Sequence, residues 1–144
     1  MDTRGQELAE TFVKMLNTHN PDLVDQFEAE GYINHETLFF AEGREANRQV
    51  WRAFFAALPD VSASMEDLVI ADDRVVGRFV YRGTHTGDYM GIPASGNAVE
   101  MRSIDIWRVE DGVFAEHWDE INAMQVFQQM GALPPLDGGF EALA

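Results

Sequence analysis

The hydrophobic period of this chain changes once, near residue 60, and that change limits the fold more than any other feature. Before it, apolar residues recur at helical spacing. Leu8, Phe12, Met15 and Leu16 fall at i, i+4, i+7 and i+8, with Glu7, Glu10 and Lys14 on the other side, the pattern of an amphipathic helix. Residues 17–21 break the period. Pro21 suits the first turn of a second, short helix, with Leu23, Val24 and Phe27 on its apolar side and Gly31 at its end. Tyr32-Ile33-Asn34-His35 reads as a short extended segment. Val50, Trp51, Phe54, Phe55 and Leu58 give a third helix, about 44–58, closed by Pro59-Asp60.

After residue 60 the period falls to two, and segments 61–70, 74–86, 98–110 and 113–121 read as strands. Asp72-Asp73 and Glu110-Asp111-Gly112 are tight turns, and the Asp-Gly pair is a strong hairpin signal. Residues 87–96 form a longer loop containing Gly87, Gly91, Pro93 and Gly96. A last short helix, about 122–130, ends at Gly131 before Pro134-Pro135. Helices followed by strands predict an α+β domain: a curved antiparallel sheet wrapped around three N-terminal helices, with a short C-terminal helix. One domain is expected over 1–135, with 136–144 a loose tail. A bent sheet closed by helices leaves a cavity, the usual setting of a small-molecule site.

The composition narrows the partners. Ten basic residues stand against 25 acidic ones, a net charge of −15, and only Lys14 is a lysine. Nucleic acid and anionic membrane surfaces both need clustered cations, so neither is expected as a partner. The chain has no cysteine, which excludes disulfides, thiolate nucleophiles and cysteine-ligated metals. No apolar run reaches 18 residues. The first residues lack a basic stretch followed by an apolar one, so a cytoplasmic location is expected.

Alternation sorts the polar residues of the last two strands. Met101, Ser103, Asp105 and Trp107 share one face, and Glu100, Arg102, Ile104, Ile106 and Arg108 the other. In the next strand Ala115, His117 and Asp119 share a face opposite Phe114, Glu116, Trp118 and Glu120. The turn at Asp111-Gly112 brings Asp105 and His117 roughly opposite each other, with Asp119 nearby. In an apolar pocket such a cluster would have its carboxylate pKa values pushed apart, so that one acid and one base work side by side. The period alone leaves the face open, and a solvated cross-strand ion pair on the outside accounts for the same residues. The histidines are His19, His35, His85 and His117, and none has a metal-binding spacing, so no metal is expected. The loop glycines do not follow a strand-to-helix turn as a phosphate loop requires. No serine has a nucleophile-elbow setting.

Residues Gly87-Asp88-Tyr89-Met90-Gly91-Ile92-Pro93-Ala94-Ser95-Gly96-Asn97 resemble the G-x-x-x-G-I-P-x-T/S-G loop of the SnoaL-like polyketide cyclases. Residues 106–119, ending in Glu116-His117-Trp118-Asp119, resemble that family's R-x-x-D-G-K-I-x-x-H-x-D hairpin. Phe127-Gln128-Gln129-Met130-Gly131 is similar to its closing L-x-Q-L-G helix end. Met15-Leu16-Asn17-Thr18 and Gly31-Tyr32-Ile33-Asn34 match as well, so the likeness runs over about residues 8–131. It implies a cone-shaped α+β barrel of the nuclear-transport-factor-2 type, a homodimer, no cofactor, and ring closure by intramolecular aldol condensation. The family's acid/base aspartate falls on Asp119 and its pocket asparagine on Asn34. Asp105 stands where the cyclases carry a pocket histidine, and Ser103 where they carry a glutamine. These departures add a second carboxylate. The resemblance also favours the inward choice for Ser103, Asp105 and Asp119.

The expected substrate is a small hydrophobic molecule bearing carbonyl groups. Asp119, Asp105 and His117 are the candidate catalytic residues, with Asn34 and His35 expected to orient the enolate oxygen. Ser103, Trp51, Phe54, Phe55, Tyr89, Met90 and Trp107 are the other candidate binding residues. Different enzymes on the same cone are the rivals. A ketosteroid-isomerase-like proton shuttle has Tyr32 and Tyr81 as its only plausible oxyanion donors. An epoxide hydrolase needs an inward arginine between the aspartates, and Arg102 points the other way unless a bulge turns it. A non-catalytic small-ligand-binding protein is the third reading.

Overall fold

The computed structural model describes residues 3–36, 38 and 40–134, so the expected tail at 136–144 lies outside the described residues. Helix α1 (Thr3–Thr18) buries Leu8, Phe12, Met15 and Leu16, the stripe that its spacing predicts. Phe12 is the centre of the core. Its ring lies edge-on to Phe27, Trp51, Phe79 and Trp107, with centroids 5.2 to 6.1 Å away. Such edge-to-face contacts add to the area each ring buries.

A 3-10 turn (Pro21–Leu23) is capped by Asn20, whose side chain accepts from the Asp22 N–H, and it runs into a single helical turn, α2 (Val24–Phe27). The expected extension of this helix to Gly31 does not form. Glu28 already begins strand β1 (Glu28–Asn34), which lies parallel to β6. A tertiary partner far along the chain overrides the local pattern here. The two-residue β2 (Ala41–Glu42) pairs with the end of β1 and carries no signal of its own. Helix α3 (Arg44–Ala57) follows, then β3 (Ser62–Ala71), β4 (Arg74–Thr84), β5 (Ala98–Glu110), β6 (Val113–Ile121) and the short α4 (Ala123–Gln129).

The sheet order is β2-β1-β6-β5-β4-β3. The fold is the α+β cone the sequence predicts, with one correction: the sheet is mixed, because β1 enters parallel to β6. Between β5 and β6, Asp111 and Gly112 both have positive φ, 53° and 77°, as a two-residue hairpin turn requires. A bulge then slips the register between Arg108 and Val109. It turns Phe114 inward, where its ring stacks on Trp107 at 4.6 Å. Phe114 therefore joins the inner face, against the strict alternation expected for it.

Strand β4 stops at Thr84, two residues early: the His85 N–H still meets Asn97 in the register of the ladder, but Thr86 and Gly87 turn their N–H groups to the Ala57 carbonyl oxygen. Gly87 lies so close to α3 that a Cβ there would come within 2.1 Å of the Ala56 carbonyl oxygen. Only glycine fits, and this contact lays the 87–96 loop across the end of α3, which brings Tyr89 over the cavity. Arg48 bonds Asp22, Asp25 and Glu45 at once and ties α3 to the 3-10 turn and α2.

Candidate active site

The inner faces of β1, β5 and β6, closed by α3 and by Tyr89, surround a cavity of about 70 Å³. That is less than half the roughly 150 Å³ that accommodates a benzene ring in an engineered core cavity. The space suits a slender chain, and a wider molecule enters only if wall side chains move. Phe12, Val50, Trp51, Phe54, Met101 and Trp107 supply apolar wall.

Alternation sends Ser103, Asp105 and Trp107 of β5 inward, 3%, 2% and 1% exposed. On β6 it sends His117 and Asp119 the same way. Asp105 and Asp119 are direct partners across the ladder, whereas His117 pairs with Trp107. The imidazole reaches Asp105 diagonally, with Nε2 2.7 Å from Oδ1. Asn34, register partner of His117, accepts the Glu36 N–H on its Oδ1 at 3.0 Å, and the same oxygen lies 2.8 Å from His117 Nδ1. An amide oxygen only accepts, so Nδ1 carries a proton and points it at Asn34. One proton is then shared between Nε2 and Asp105.

This chain of hydrogen bonds extends both ways. Ser103 donates to Asp105 Oδ2 at 2.5 Å, which leaves Tyr81 as donor to Ser103 at 2.8 Å. On the other side Asn34 donates to Asn47 Oδ1, and Asn47 donates to Glu28 Oε2 at 2.7 Å. Buried networks of this kind hold their members in one geometry.

Asp119 stands apart from the network. It is half-buried, and its Oδ1 is fully enclosed without a hydrogen-bond partner. Desolvation is the main reason its pKa rises to about 7; His117 pulls it down, while Asp105, Glu36 and Glu120 add to the rise. Asp119 is thus balanced between acid and base near neutral pH, where proton transfer in both directions is most effective. Tyr32 accepts the Trp107 indole N–H at 3.2 Å, so its own hydroxyl proton is available to the cavity. Burial pushes the Tyr32 and Tyr81 hydroxyls well above the ordinary phenol range, with nearby acids adding to it. Both remain neutral donors.

Asn34, Trp51, Phe54, Tyr89, Ser103, Asp105, Trp107, His117 and Asp119 all line the cavity. Three other expected site residues do not. His35 points outward, bonds Glu116 at 2.7 Å and stacks on Trp118, because it is the next residue after inward Asn34. Phe55 is core, packed on His19 and Trp51. Met90 is 47% exposed at the tip of the turn. Asn34 has its oxygen and one amide hydrogen engaged, so it orients His117. Glu28 and Asn47 were not expected. Asn47 had a signal, being a lone amide at i relative to Val50, Trp51 and Phe54 at i+3, i+4 and i+7. Glu28 had none, since the pattern places it in a helix.

Ligand atoms of Asp105, His117 and Asp119 lie within 4.8 Å of one another, close enough to hold a divalent cation. Such an ion would have to break the His117–Asp105 bond, since only Asp119 Oδ1 has no partner there. Arg102 lies on the outer face and bonds Gln125, and no bulge turns it inward. The Asp-Arg-Asp set of an epoxide hydrolase is not assembled.

Fold and cavity together define an α+β cone with an acidic site in an apolar interior. The chain belongs to the SnoaL-like polyketide cyclase family, whose pattern it matches over residues 6–130. TsrD from Streptomyces laurentii is 34% identical, with 92% of this chain and 99% of that one covered and a TM-score of 0.86. Wild-type IdmH from Streptomyces antibioticus, assigned by inference as a polyketide cyclase, is 28% identical over 88% and 98% of the two chains, with a TM-score of 0.76. AclR from Streptomyces galilaeus, assigned by inference as a hydroxylase, shares the fold at 22% identity and a TM-score of 0.84, over 96% and 88%. A search of curated proteins finds no match to the chain. Among the described residues no helix is long and apolar enough to cross a membrane.

Proposed function

We propose that this protein closes a ring in a small, slender polycarbonyl substrate by an intramolecular aldol reaction, with Asp119 as acid and base and no cofactor. The observation that carries the reading is the enclosed, unpartnered Asp119 Oδ1 with its pKa lifted to about 7. The Asp119 carboxylate removes a proton from a methylene activated by a carbonyl. The enolate carbon attacks a ketone of the same molecule, a carbon–carbon bond forms, and the ketone oxygen becomes an alkoxide. Protonated Asp119 returns its proton to that alkoxide, so the product is an isomer of the substrate and the enzyme is restored. The Tyr32 hydroxyl is the donor best placed to stabilise the enolate oxygen. His117 and Asp105, held by Asn34 and Ser103, set the field around Asp119. The narrow cavity contributes by folding a linear chain into a reactive pose.

The test is turnover of a linear 1,6-diketone such as 2,7-octanedione, whose C3 methylene closes a five-membered ring on the C7 ketone, with and without a chelator. Asp119→Asn is expected to lower the rate by about 10²–10⁴, and the chelator to leave it unchanged. A variant as fast as the parent would remove Asp119 from the reaction. A shifted double bond in place of a new ring would move the reading to a proton-shuttling isomerase, which the Tyr32 donor also supports. Pairing of two copies belongs to the same proposal. It is supported by an apolar row on the outer face, where Val69, Val76, Ile106 and Trp118 are successive register partners and Val69 and Ile106 are 59% and 39% exposed. Light scattering reads it directly.

A further inference from the structure

Glu28 is the most buried carboxyl among those lining the cavity together with Asp105, each 2% exposed. Its place differs from that of the aspartates. Glu28 pairs with Phe114 in the ladder, and Asp119 lies five residues further along β6, about 16–17 Å of strand away. Two amides, Asn47 and Asn34, stand between Glu28 and His117 in the hydrogen-bond chain. Only one oxygen of Glu28 is engaged, Oε2 with Asn47; Oε1 is enclosed and without a partner.

Among the described residues no cation pairs with this carboxyl. Arg44 bonds the Glu28 backbone carbonyl and Asp25, and Arg48 is taken by Asp22, Asp25 and Glu45. An isolated buried carboxylate is costly enough that the group takes up a proton instead. Burial accordingly raises the Glu28 pKa to about 8, against smaller downward pulls from Asn47, Arg44 and Arg48 and an upward push from Asp25. With Oε2 accepting from Asn47, the proton sits on Oε1. One turn beyond Asn47 on the same face of α3 is Trp51, whose Nε1–H is also enclosed, lines the same cavity and has no partner. Two unsatisfied hydrogen-bond donors therefore share the wall of an apolar cavity, at the end remote from Asp119.

We propose that Glu28 and Trp51 form a donor station at this end of the cavity, which takes a neutral acceptor oxygen, a ketone or amide carbonyl, at the far end of a slender substrate. The inference rests on the cavity being the substrate site, and it deepens the proposed function by assigning the substrate a second oxygen remote from the reacting carbons. An ammonium group is disfavoured there by the Trp51 N–H and a carboxylate by burial without a cation.

The test uses three linear probes, 2-octanone, octylammonium and octanoate, with binding followed through the Trp51 indole N–H signal in NMR. At pH 6.5 the ketone is expected to bind at least about tenfold more tightly than either ion, the value of one net hydrogen bond. It should also shift the Trp51 N–H signal. Glu28→Leu should lower ketone affinity by about tenfold, Glu28→Gln, which keeps a donor, should retain it, and Asp119→Asn should leave the preference in place. Ketone affinity should also fall as pH rises through about 8. If Glu28→Leu does not fold, Trp51→Phe and the carboxyl 13C signal of Glu28 in the parent protein at pH 7 decide the matter. Tighter binding of octylammonium, ketone affinity indifferent to both substitutions, or an ionised Glu28 at pH 7 would overturn the proposal. A preference that follows Glu28 while Asp119→Asn keeps full turnover would leave this station standing and sink the aldol reading; the reverse pattern would do the opposite.

Discussion

Two histidine–carboxylate pairs sit back to back across the same sheet, each closed at 2.7 Å. His117 with Asp105 faces the cavity, their side chains 8% and 2% exposed; His35 with Glu116 faces outward at 35% and 22%. They are built from neighbouring residues, Asn34-His35 on one strand end and Glu116-His117 on the other, which alternation sends to opposite faces. Contact length therefore says nothing about what each pair does. Outside, Glu116 also bonds Arg108 at 3.0 Å, and His35 and Arg108 hold its carboxyl below the usual range. Inside, the bonds of His117 and Asp105 go to Asn34 and Ser103, and their neighbour Asp119 is lifted to about 7 chiefly by burial, its enclosed Oδ1 without a hydrogen-bond partner. The outer pair is a solvated contact. The inner pair is a fixed polar wall beside a carboxyl, Asp119, whose Oδ1 has no hydrogen-bond partner.

The difference should appear first in stability. Removing Asp105 as Asp105→Ala strands the His117 imidazole in the interior and is expected to cost about 3–5 kcal/mol in urea unfolding. A loss below 1 kcal/mol would place the inner pair in the same class as the outer one.

A second contrast lies in pH. Glu28 and Asp119 have folded pKa values of about 8 and about 7, above their ordinary 4.5 and 3.8. Each favours the fold while protonated in both states, and that contribution is lost as pH rises from about 4 through 7 to 8. For Glu28 the loss is roughly 3–5 kcal/mol. Comparing the parent with Glu28→Gln isolates it: the difference in unfolding free energy should change between pH 4.5 and 9, with the parent losing ground. A flat difference would mean Glu28 is ionised at no cost. Glu116 has the opposite sign, with a depressed pKa, so its contribution is present above the ordinary range and fades as pH falls.

The smallest effect belongs to the outer pair. His35→Ala should cost about 1 kcal/mol or less and less still in high salt, read from the same unfolding curves. A loss equal to that of Asp105→Ala would erase the contrast between the faces.

The architecture was legible in the sequence wherever a segment carried its own period. Helix α1, helix α3 and the β5–β6 hairpin follow from spacing and from Asp111-Gly112 alone. The site was partly legible, because alternation grouped Ser103, Asp105 and Trp107 correctly, and the family resemblance chose their face. What escaped depended on partners distant in the chain. Glu28 reads as helical until β6 is there to pair with it, and Phe114 reads as outward until the bulge turns it. His35 and Asn34 are adjacent letters in one short segment, and only the parallel pairing with β6 decides which of them enters the cavity.

The most direct check is the carboxyl 13C titration of Asp119 in the parent protein, assigned by its loss in Asp119→Asn. A midpoint near 7, with the carboxyl half-protonated at neutral pH, is the result expected of an acid enclosed beside the His117–Asp105 pair. A midpoint near the ordinary 3.8 would mean that water reaches this group freely, and would contradict both the dry pocket and the chemistry assigned to it.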